Sequence, residues 1–258
     1  MSVLEFKGVD KEYCAESSGL KKVSFRIEQG EFTALAGPSG SGKTTILNLA
    51  AGLDFPTRGC VTLIGRDLSS MKREELDYLR RNNLGFIFQA YNLFPVLTAI
   101  ENVEYPLALQ NVPAKERRER AHAALTEVGL TSYASRFPNQ LSGGQQQRVA
   151  IARAMVSAPK LVFADEPTAN LDSKSADKLL DLFSSLNETT KTTFLFSSHD
   201  PRVLNSAKRV ISLMDGTIKD DYWKPLEKKS NEVSYLDPIR SEPNEADLAR
   251  IKSAYELI

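Results

Sequence analysis

Residues 37–44 of this 258-residue chain read Gly37-Pro38-Ser39-Gly40-Ser41-Gly42-Lys43-Thr44. The run fits the pattern G-x-x-x-x-G-K-[ST] at every fixed position. Its glycines let the backbone wrap so tightly that successive N–H groups point at phosphate oxygens, and the helix that follows adds the positive end of its dipole. The stretch therefore predicts a phosphate-binding loop in which Lys43 reaches the β- and γ-phosphates of a nucleotide and the Thr44 hydroxyl ligates Mg²⁺.

Hydrophobic patterns on both sides place this loop between a strand and a helix. A short apolar run ends where the loop begins, and helical spacing follows it up to Gly52. Strand-like runs lie at 4–9, 20–27, 32–36, 60–64, 84–88, 161–164, 192–197 and 209–214, and helical patterns lie at 44–51, 114–128 and 174–186. Strands that alternate with helices predict an α/β core with a largely parallel sheet.

Composition excludes several classes of protein. Lys+Arg and Asp+Glu number 33 each, and 41% of the residues are hydrophobic. Such a balance is typical of a folded protein and argues against a dedicated nucleic-acid binder. Every apolar run stops well short of the 18 or so residues that span a bilayer, and the charged N-terminus lacks the apolar segment of a signal peptide. Cys14 and Cys60 make neither a disulfide framework nor a metal site, so we expect a protein of a reducing compartment.

A second strand-like run ends in two acids, Asp165 and Glu166. A carboxylate at that position can hold Mg²⁺ beside a phosphate loop, and we assign this role to Asp165. Glu166, one residue further, is a candidate general base for the water that attacks the γ-phosphate. The alternative is that two acids simply end a strand, and the phosphate loop upstream makes that alternative weak.

A second glycine loop, Ser142-Gly143-Gly144-Gln145, precedes a good helical sequence. Ser142 is a suitable N-cap, and the glycines permit close approach of a ligand to a helix N-terminus. One nucleotide does not need two such loops, whereas two nucleotides shared between two copies of the chain would need both. A plain loop with a capped helix is the alternative, and the local residues do not choose between them.

Two segments depart from the alternation of strands and helices. Residues from about 90 to 155 are charged and rich in helical patterns, which predicts a helical insertion into the core. From Tyr222 the pattern breaks, and residues 244–258 then regain helical spacing with Leu248, Ile251, Tyr255 and Ile258 on one stripe. We predict a main domain over 1–221 and a C-terminal extension over 222–258 whose terminal helix docks on a second copy or on a partner.

Five motifs in one order resemble a known family. GPSGSGKT is followed by LSGGQ at 141–145, LVFADE at 161–166, NLD at 170–172 and a strand ending in His199. This series resembles the ATP-binding-cassette (ABC) ATPases over residues 1 to about 221. The resemblance implies an α/β P-loop NTPase fold with a RecA-like core, an antiparallel β subdomain and an inserted α-helical subdomain, and an ATPase that uses ATP and Mg²⁺.

The resemblance also implies a role for each matching residue. Nucleotide contacts are implied at Tyr13, which stacks on adenine, at Gly37, Pro38, Ser39, Gly40, Ser41, Gly42, Lys43, Thr44 and Thr45, at Gln89, and at Ser142, Gly143, Gly144 and Gln145. The catalytic residues implied are Glu166, His199 and Lys43, and the metal ligands are Thr44, Gln89 and Asp165. Residues 170–172 resemble the D-loop at a dimer seam, since two copies of such a chain close head to tail around two Mg-ATP.

The stretch from Phe88 to Val103, together with residues 137–148, resembles the lipoprotein-releasing and macrolide-exporter type of bacterial ABC ATPase. The resemblance implies a membrane permease as partner, no nucleic-acid partner, and a cytoplasmic location at the inner face of the membrane. A cell-division-associated or regulatory ABC ATPase is the alternative, although that relative usually has Glu where this chain has Gln145. A soluble repair or translation ABC protein would need long coiled-coil insertions or two cassettes, which the chain lacks.

Overall fold

Two β-sheets organise the chain in the computed structural model, which describes residues 1–14 and 17–224. The strands are β1 Ser2–Cys14, β2 Ser17–Glu28, β3 Phe32–Ala36, β4 Arg58–Leu63, β5 Arg66–Asp67, β6 Leu84–Ile87, β7 Leu161–Asp165, β8 Thr193–Ser198, β9 Arg209–Met214 and β10 Thr217–Trp223. The helices are α1 Lys43–Ala50, α2 Arg73–Asn83, α3 Ala99–Leu109, α4 Ala114–Glu127, α5 Gly143–Met155, α6 Ser173–Thr190 and α7 Pro201–Ser206.

The main sheet has the strand order β10-β9-β3-β8-β7-β6. Its five strands from β9 to β6 are parallel, and β10 joins β9 as an antiparallel hairpin. The turn of that hairpin holds Asp215 at φ 51 and Gly216 at φ 74, which suits the primed turns of β-hairpins. Every residue of β3 and β8 is buried, as expected of parallel strands covered on both faces.

A smaller antiparallel sheet has the strand order β2-β1-β4-β5. It packs with α1, α2 and one face of the main sheet around a core that includes Phe6, Phe25, Ile46 and Leu49. The rings of Phe6 and Phe25, from paired strands, stack with centroids 4.7 Å apart.

Side-chain alternation along the central strand divides the protein into two cores. Phe194 and Phe196 of β8 lie in the core shared with α3, α4, α5 and α6, whereas Leu195 lies in the core beneath the antiparallel sheet. Phe183 of α6 packs edge-on against Phe196 with centroids 5.2 Å apart. Successive residues of a strand point to opposite faces, so one short strand anchors both layers.

Helices α3, α4 and α5 pack together in the segment between β6 and β7. The fully buried Asn102 of α3 holds the loop before that helix, because its Nδ2 donates to the carbonyls of Phe94, Leu97 and Thr98 and its Oδ1 accepts from the Phe94 N–H. The predicted α/β class, with a mostly parallel core, an antiparallel subdomain and a helical insertion, is confirmed.

Several elements differ from the sequence prediction. Strands β1 and β2 run longer than predicted, and α2 and α3 were not predicted because α2 is strongly charged and α3 contains Pro106. β10 extends to Trp223, so the main sheet passes the predicted domain end at 221.

The predicted terminal helix and its stripe of apolar residues lie outside the described residues, and the domain boundaries stay a prediction. In the described part of the chain, no helix combines the length and apolarity needed to cross a bilayer.

A nearly buried ion network ties β9 to its neighbours. Arg209 donates from Nε and Nη2 to both carboxylate oxygens of Asp221, each at 2.7 Å, and from Nη1 to Glu31 at 3.0 Å. The same Nη1 donates to the carbonyl of Arg26 on β2, and the guanidinium lies 5.4 Å from the ring centroid of Trp223. Because both acids need the guanidinium, the network depends on this single side chain.

We expect Arg209→Met to lower the free energy of unfolding by about 3 kcal/mol, because it leaves the buried Glu31 carboxylate without its cationic partner and also breaks the bidentate pair with Asp221. The matched control is Arg26→Met, since Arg26 is 71% exposed and its 3.5 Å pair with Glu28 contributes less than about 1 kcal/mol. Urea denaturation of both variants measures the difference. Equal small losses in the two variants would contradict this account of the network.

Candidate functional site

The carboxyl ends of four parallel strands gather the predicted site residues at one edge of the main sheet. Ala36 of β3 pairs with Ser198 of β8, and Asp165 of β7 pairs with Ser197. The strands therefore end at the same level, and the loops that follow them leave the sheet side by side. This register brings together the phosphate loop, the acidic pair and His199.

The phosphate loop has the backbone that its glycines predict. Gly37, Gly40 and Gly42 have φ angles of 151°, 80° and 105°. A Cβ atom at Gly37 would lie 2.3 Å from the carbonyl oxygen of Leu213, so side chains are excluded there by main-chain contact as well as by conformation. The Ser41 N–H donates to the Pro38 carbonyl at 3.2 Å and closes the loop.

Helix α1 begins directly after this loop and presents a positive end to it. Gly42 is its N-cap, so no side chain accepts from the first-turn N–H groups, and no acid lies in the first turn. The buried Lys43 donates its ammonium to the carbonyls of Gly37 and Pro38 at 2.7 and 2.9 Å, and the buried Ser41 Oγ has no protein partner. These donors together form a cradle suited to a polyanion.

The acidic pair ends strand β7, where the chain turns sharply. Asp165 is partly buried, and Glu166 follows with φ 45, a left-handed conformation that is uncommon outside glycine. The Glu166 N–H donates to the carbonyl of Ser197 at 2.9 Å, which fixes this backbone to the neighbouring strand. Such local strain at a cluster of functional groups is typical of active sites.

Glu166 and His199 are in direct contact. Nδ1 of His199 lies 2.7 Å from Oε1 of Glu166, and the Ser198 hydroxyl donates to Oε2 at 3.0 Å. The histidine side chain is 72% exposed whereas the glutamate is 17% exposed. The carboxylate is therefore held on both oxygens at the mouth of the site.

Tyr13 lies at the edge of the phosphate loop. Its hydroxyl donates to Thr45 Oγ1 at 3.3 Å, and the ring is about half exposed. The Lys11 ammonium lies 5.1 Å from the ring centroid and donates to Asp54 at 2.6 Å, so the ring is held from one side. An exposed aromatic ring beside a phosphate loop is a suitable stacking surface for a nucleotide base.

Gln89 follows β6 at the same sheet edge and has an exposed side chain. Its carbonyl accepts from Asn170 Nδ2 at 2.9 Å, which joins the loop after β6 to the NLD segment. Asp172 of that segment caps α6, since its carboxylate accepts from the N–H and hydroxyl of Ser175, and these bonds lower the pKa of Asp172.

The second glycine loop forms the predicted helix cap. The Ser142 N–H donates to Gln145 Oε1 at 2.9 Å, and Ser142 Oγ accepts from the Gln145 N–H at 3.3 Å. This reciprocal pair is a capping box at the start of α5. Gly144 lies over Ser175 of α6. Over the described ranges, no hydrogen bond joins residues 142–145 to residues 37–45, so the chain presents two separate helix-end loops.

Sequence patterns missed a clamp between α5 and the loop after Gln89. Arg153 donates to the carbonyls of Tyr91 and Asn92 at 2.8 and 2.5 Å, and those two residues have φ angles of 60° and 49°. At the other end of α5, the Tyr91 hydroxyl lies 2.8 Å from where a Cβ of Gly143 would be. Burial lowers the pKa of Arg153 and raises that of Tyr91. Asn92 is a residue type that favours positive φ, but nothing in the sequence indicates that conformation at Tyr91 or the contact of either residue with Arg153.

The donor set of the site suits a hard cation. Among the described residues, no three His, Cys, Asp or Glu side chains cluster in a way that could hold a metal by themselves. The exposed Thr44 hydroxyl and the Asp165 carboxylate are oxygen donors, and the Gln89 amide supplies another. Mg²⁺ is usually held by one or two such protein oxygens with phosphates and water, so the residues fit this ion in the company of a nucleotide.

Comparison with known proteins places these features in a family. A model described as "ABC transporter" matches residues 20–169. The ABC transporter ATP-binding protein YknY of Bacillus subtilis is 46% identical over 199 residues, which cover 77% of this chain and 86% of that protein. The macrolide export ATP-binding/permease protein MacB of Syntrophobacter fumaroxidans is 39% identical over 255 residues, or 97% of this chain and 35% of that protein. The dimeric post-hydrolysis structure of the ATP-binding cassette MJ0796, bound to ADP and Pi, has a TM-score of 0.78 at 42% identity and covers 85% of this chain and 98% of that chain.

We expect Gly37→Ala to destabilise the protein strongly, because its Cβ would collide with the Leu213 main chain. The control is Gly65→Ala, since Gly65 has φ 74 and no atom lies within 4 Å of the added carbon. This variant should lower the free energy of unfolding only by the strain of the left-handed conformation, about 1–2 kcal/mol. Thermal unfolding and binding of an ATP analogue measure both effects. Similar unfolding temperatures and similar affinities in the two variants would show that the close approach at Gly37 is unimportant.

Proposed function

The chain belongs to the ABC transporter family and is an ATPase subunit of that family; we propose that two copies close around two Mg-ATP and drive an export-type membrane permease. The resemblance of residues 88–103 to macrolide-exporter ATPases and the similarity to MacB support export. Through such a permease the subunit would be peripheral on the inner face of the membrane. The observation that carries the proposal is the meeting of Lys43, Asp165, Glu166 and His199 at one sheet edge.

The residues at this edge account for hydrolysis of ATP. The loop N–H groups and Lys43 bind the β- and γ-phosphates, and Tyr13 stacks on adenine. Thr44, Asp165 and Gln89 would hold Mg²⁺, which when bound neutralises phosphate charge. Glu166 accepts a proton from water as the water oxygen bonds to the γ-phosphorus and the bond to the ADP oxygen breaks. His199, whose Nδ1 faces Glu166, presents its other nitrogen to the γ-phosphate.

Two copies are needed to complete each site. The Ser142 loop lies at the N-terminus of a different helix, α5, and makes no hydrogen bond to the phosphate loop of the same chain within the described residues. A second copy arranged head to tail would bring its Ser142 loop and its helix dipole against the γ-phosphate. The dimeric cassette structure of MJ0796 supports this arrangement. Loss of the γ-phosphate would then release the contact and open the pair.

The permease would dock in an aromatic groove of about 450 Å³ between the main sheet and the helical insertion. The groove is lined by aromatic and apolar side chains, by three arginines and by one acid that pairs with Arg80, namely Phe86, Phe88, Phe94, Tyr105, Leu109, Arg80, Arg81, Arg153 and Asp77. Phe94 and Tyr105 are each about 40% exposed and their rings lie 4.6 Å apart. Exposed aromatic side chains beside arginines favour a short amphipathic helix with acidic residues, such as a cytoplasmic loop of a permease.

The groove is connected to the loop after Gln89 and to the second glycine loop. Arg153 lines the groove and also holds the carbonyls of Tyr91 and Asn92, two and three residues after Gln89. Tyr91 in turn contacts Gly143 of the second glycine loop. A displacement of α5 on dimer opening would therefore move the wall against which the permease packs.

We expect Glu166→Gln to reduce ATP turnover by about a hundredfold or more, because the amide cannot accept the proton from water. The variant should still bind Mg-ATP and should accumulate as a dimer, seen by size-exclusion chromatography with Mg-ATP. Glu74→Gln, an exposed change on α2, is the matched control and should leave turnover unchanged. Undiminished hydrolysis by the Glu166 variant would remove it as the base.

We expect Phe94→Ser to weaken permease binding about tenfold while ATP hydrolysis by the purified subunit stays unchanged. The control is Tyr222→Ser, a similarly exposed aromatic on β10 at the opposite edge of the main sheet. Affinity purification of each variant from detergent-solubilised membranes, with mass spectrometry of the recovered integral membrane protein, measures the difference. Equal recovery with both variants would exclude the aromatic groove as the docking site.

A further inference from the structure

We propose that Ser198 is a positioning residue that orients the Glu166 carboxylate for water activation. The inference rests on the proposed role of Glu166 as the general base. Ser198 is the last residue of β8 and is fully buried, and its hydroxyl lies 3.0 Å from Oε2 of Glu166. Its hydroxyl is therefore in direct contact with the proposed base.

The direction of this hydrogen bond is set by a second contact. The N–H of Asp200 donates to the Ser198 hydroxyl oxygen at 3.1 Å. A serine hydroxyl has a single proton, and a carboxylate accepts hydrogen bonds only. The hydroxyl proton is thus directed to Glu166, and a hydrogen bond to an ionised acceptor is stronger than a neutral one.

The residue that directs Ser198 is itself held rigidly. Asp200 caps α7, and Arg202 bonds to both of its carboxylate oxygens through Nε at 3.1 Å and Nη2 at 2.8 Å. The hydroxyl of Thr168, two residues after Glu166, also donates to this carboxylate at 3.1 Å. Arg202, helped by Thr168, keeps the pKa of Asp200 below its ordinary value, so this anchor stays ionised.

Ser198 is the buried member of the pair that holds Glu166. The other member, His199, is 72% exposed and bonds to Oε1. While His199 presents its other nitrogen to the γ-phosphate, the buried Ser198 hydrogen bond keeps the carboxylate plane in place. Without the Ser198 hydrogen bond, only the strained backbone of Glu166 and the exposed imidazole of His199 would orient the carboxylate. A small misplacement of a catalytic group lowers the rate of reaction substantially.

The test compares two neighbouring serines in the purified full-length chain. Ser198→Ala should lower kcat for ATP about tenfold and leave KM for Mg-ATP within about twofold. Ser197→Ala is the matched control, because Ser197 is equally buried but its hydroxyl has no hydrogen-bond partner, and its kcat should stay within about twofold of wild type. Ser198→Thr keeps the hydroxyl and should restore most of the rate.

A double variant separates positioning from a general structural effect. In the Glu166→Gln background, Ser198→Ala should cause no further loss of the residual rate, since the group that it orients is already gone. Ser198→Ala also removes the acceptor of the Asp200 N–H, so its unfolding temperature should lie below that of Ser197→Ala, and kcat is compared at a temperature where both variants are folded. If the alanine variant does not fold, Ser198→Cys, a near-isosteric weak donor, is used and should show a kcat loss of the same sign.

Each result decides between the hypotheses. Equal kcat for Ser198→Ala and Ser197→Ala, or a loss confined to KM, would overturn the positioning role while leaving Glu166 as the base. A further loss in the Glu166→Gln background would also overturn it. Full turnover by Glu166→Gln alone would overturn the proposed catalytic role itself, and the positioning role with it.

Discussion

The register in which β8 pairs with β3 on one side and with β7 on the other is the constraint on which the site depends. Ala36 lies opposite Ser198, and Asp165 lies opposite Ser197. Because these strands are parallel, their carboxyl ends meet at one edge, and the loops that follow them share a small volume. A slip of one residue would turn the side chains of β8 to the opposite face and would separate Glu166 from its hydrogen-bond donors.

Burial of the central strand holds that register in place. Phe194 and Phe196 point into the core made with Phe183 of α6, and Leu195 points into the other core. Burial of each side chain of this size stabilises the folded state by about 1.5–3 kcal/mol relative to leaving the side chain exposed to water. A slipped strand would lose these contacts on both faces at once. Three successive apolar side chains that point alternately to the two cores therefore fix the position of the polar groups at the end of this six-residue strand.

Helix α5 links the second glycine loop to the rest of the molecule by contacts at both of its ends. Gly143 in its first turn lies under the Tyr91 hydroxyl, and Arg153 in its last turn donates to the carbonyls of Tyr91 and Asn92. The left-handed conformation costs about 1–2 kcal/mol at Tyr91, whereas asparagine adopts it more readily, and the hydrogen bonds to a charged donor offset part of that cost. The loop after β6 is thereby joined to α5, and this connection is the physical route by which the proposed nucleotide sites would be coupled to the aromatic groove.

Local sequence was enough to specify the parts of this protein whose physics involves neighbouring residues in the chain. The phosphate loop follows from the spacing of its glycines, the Ser142 cap from a serine three residues before Gln145, and the strands at 32–36 and 209–214 from short apolar runs. Tertiary structure alone set the roles of Ser198 and Arg153. Their partners Glu166 and Tyr91 are 32 and 62 residues away, and hydrogen bonding depends on distance and direction between atoms that only the packed sheet and helices bring together.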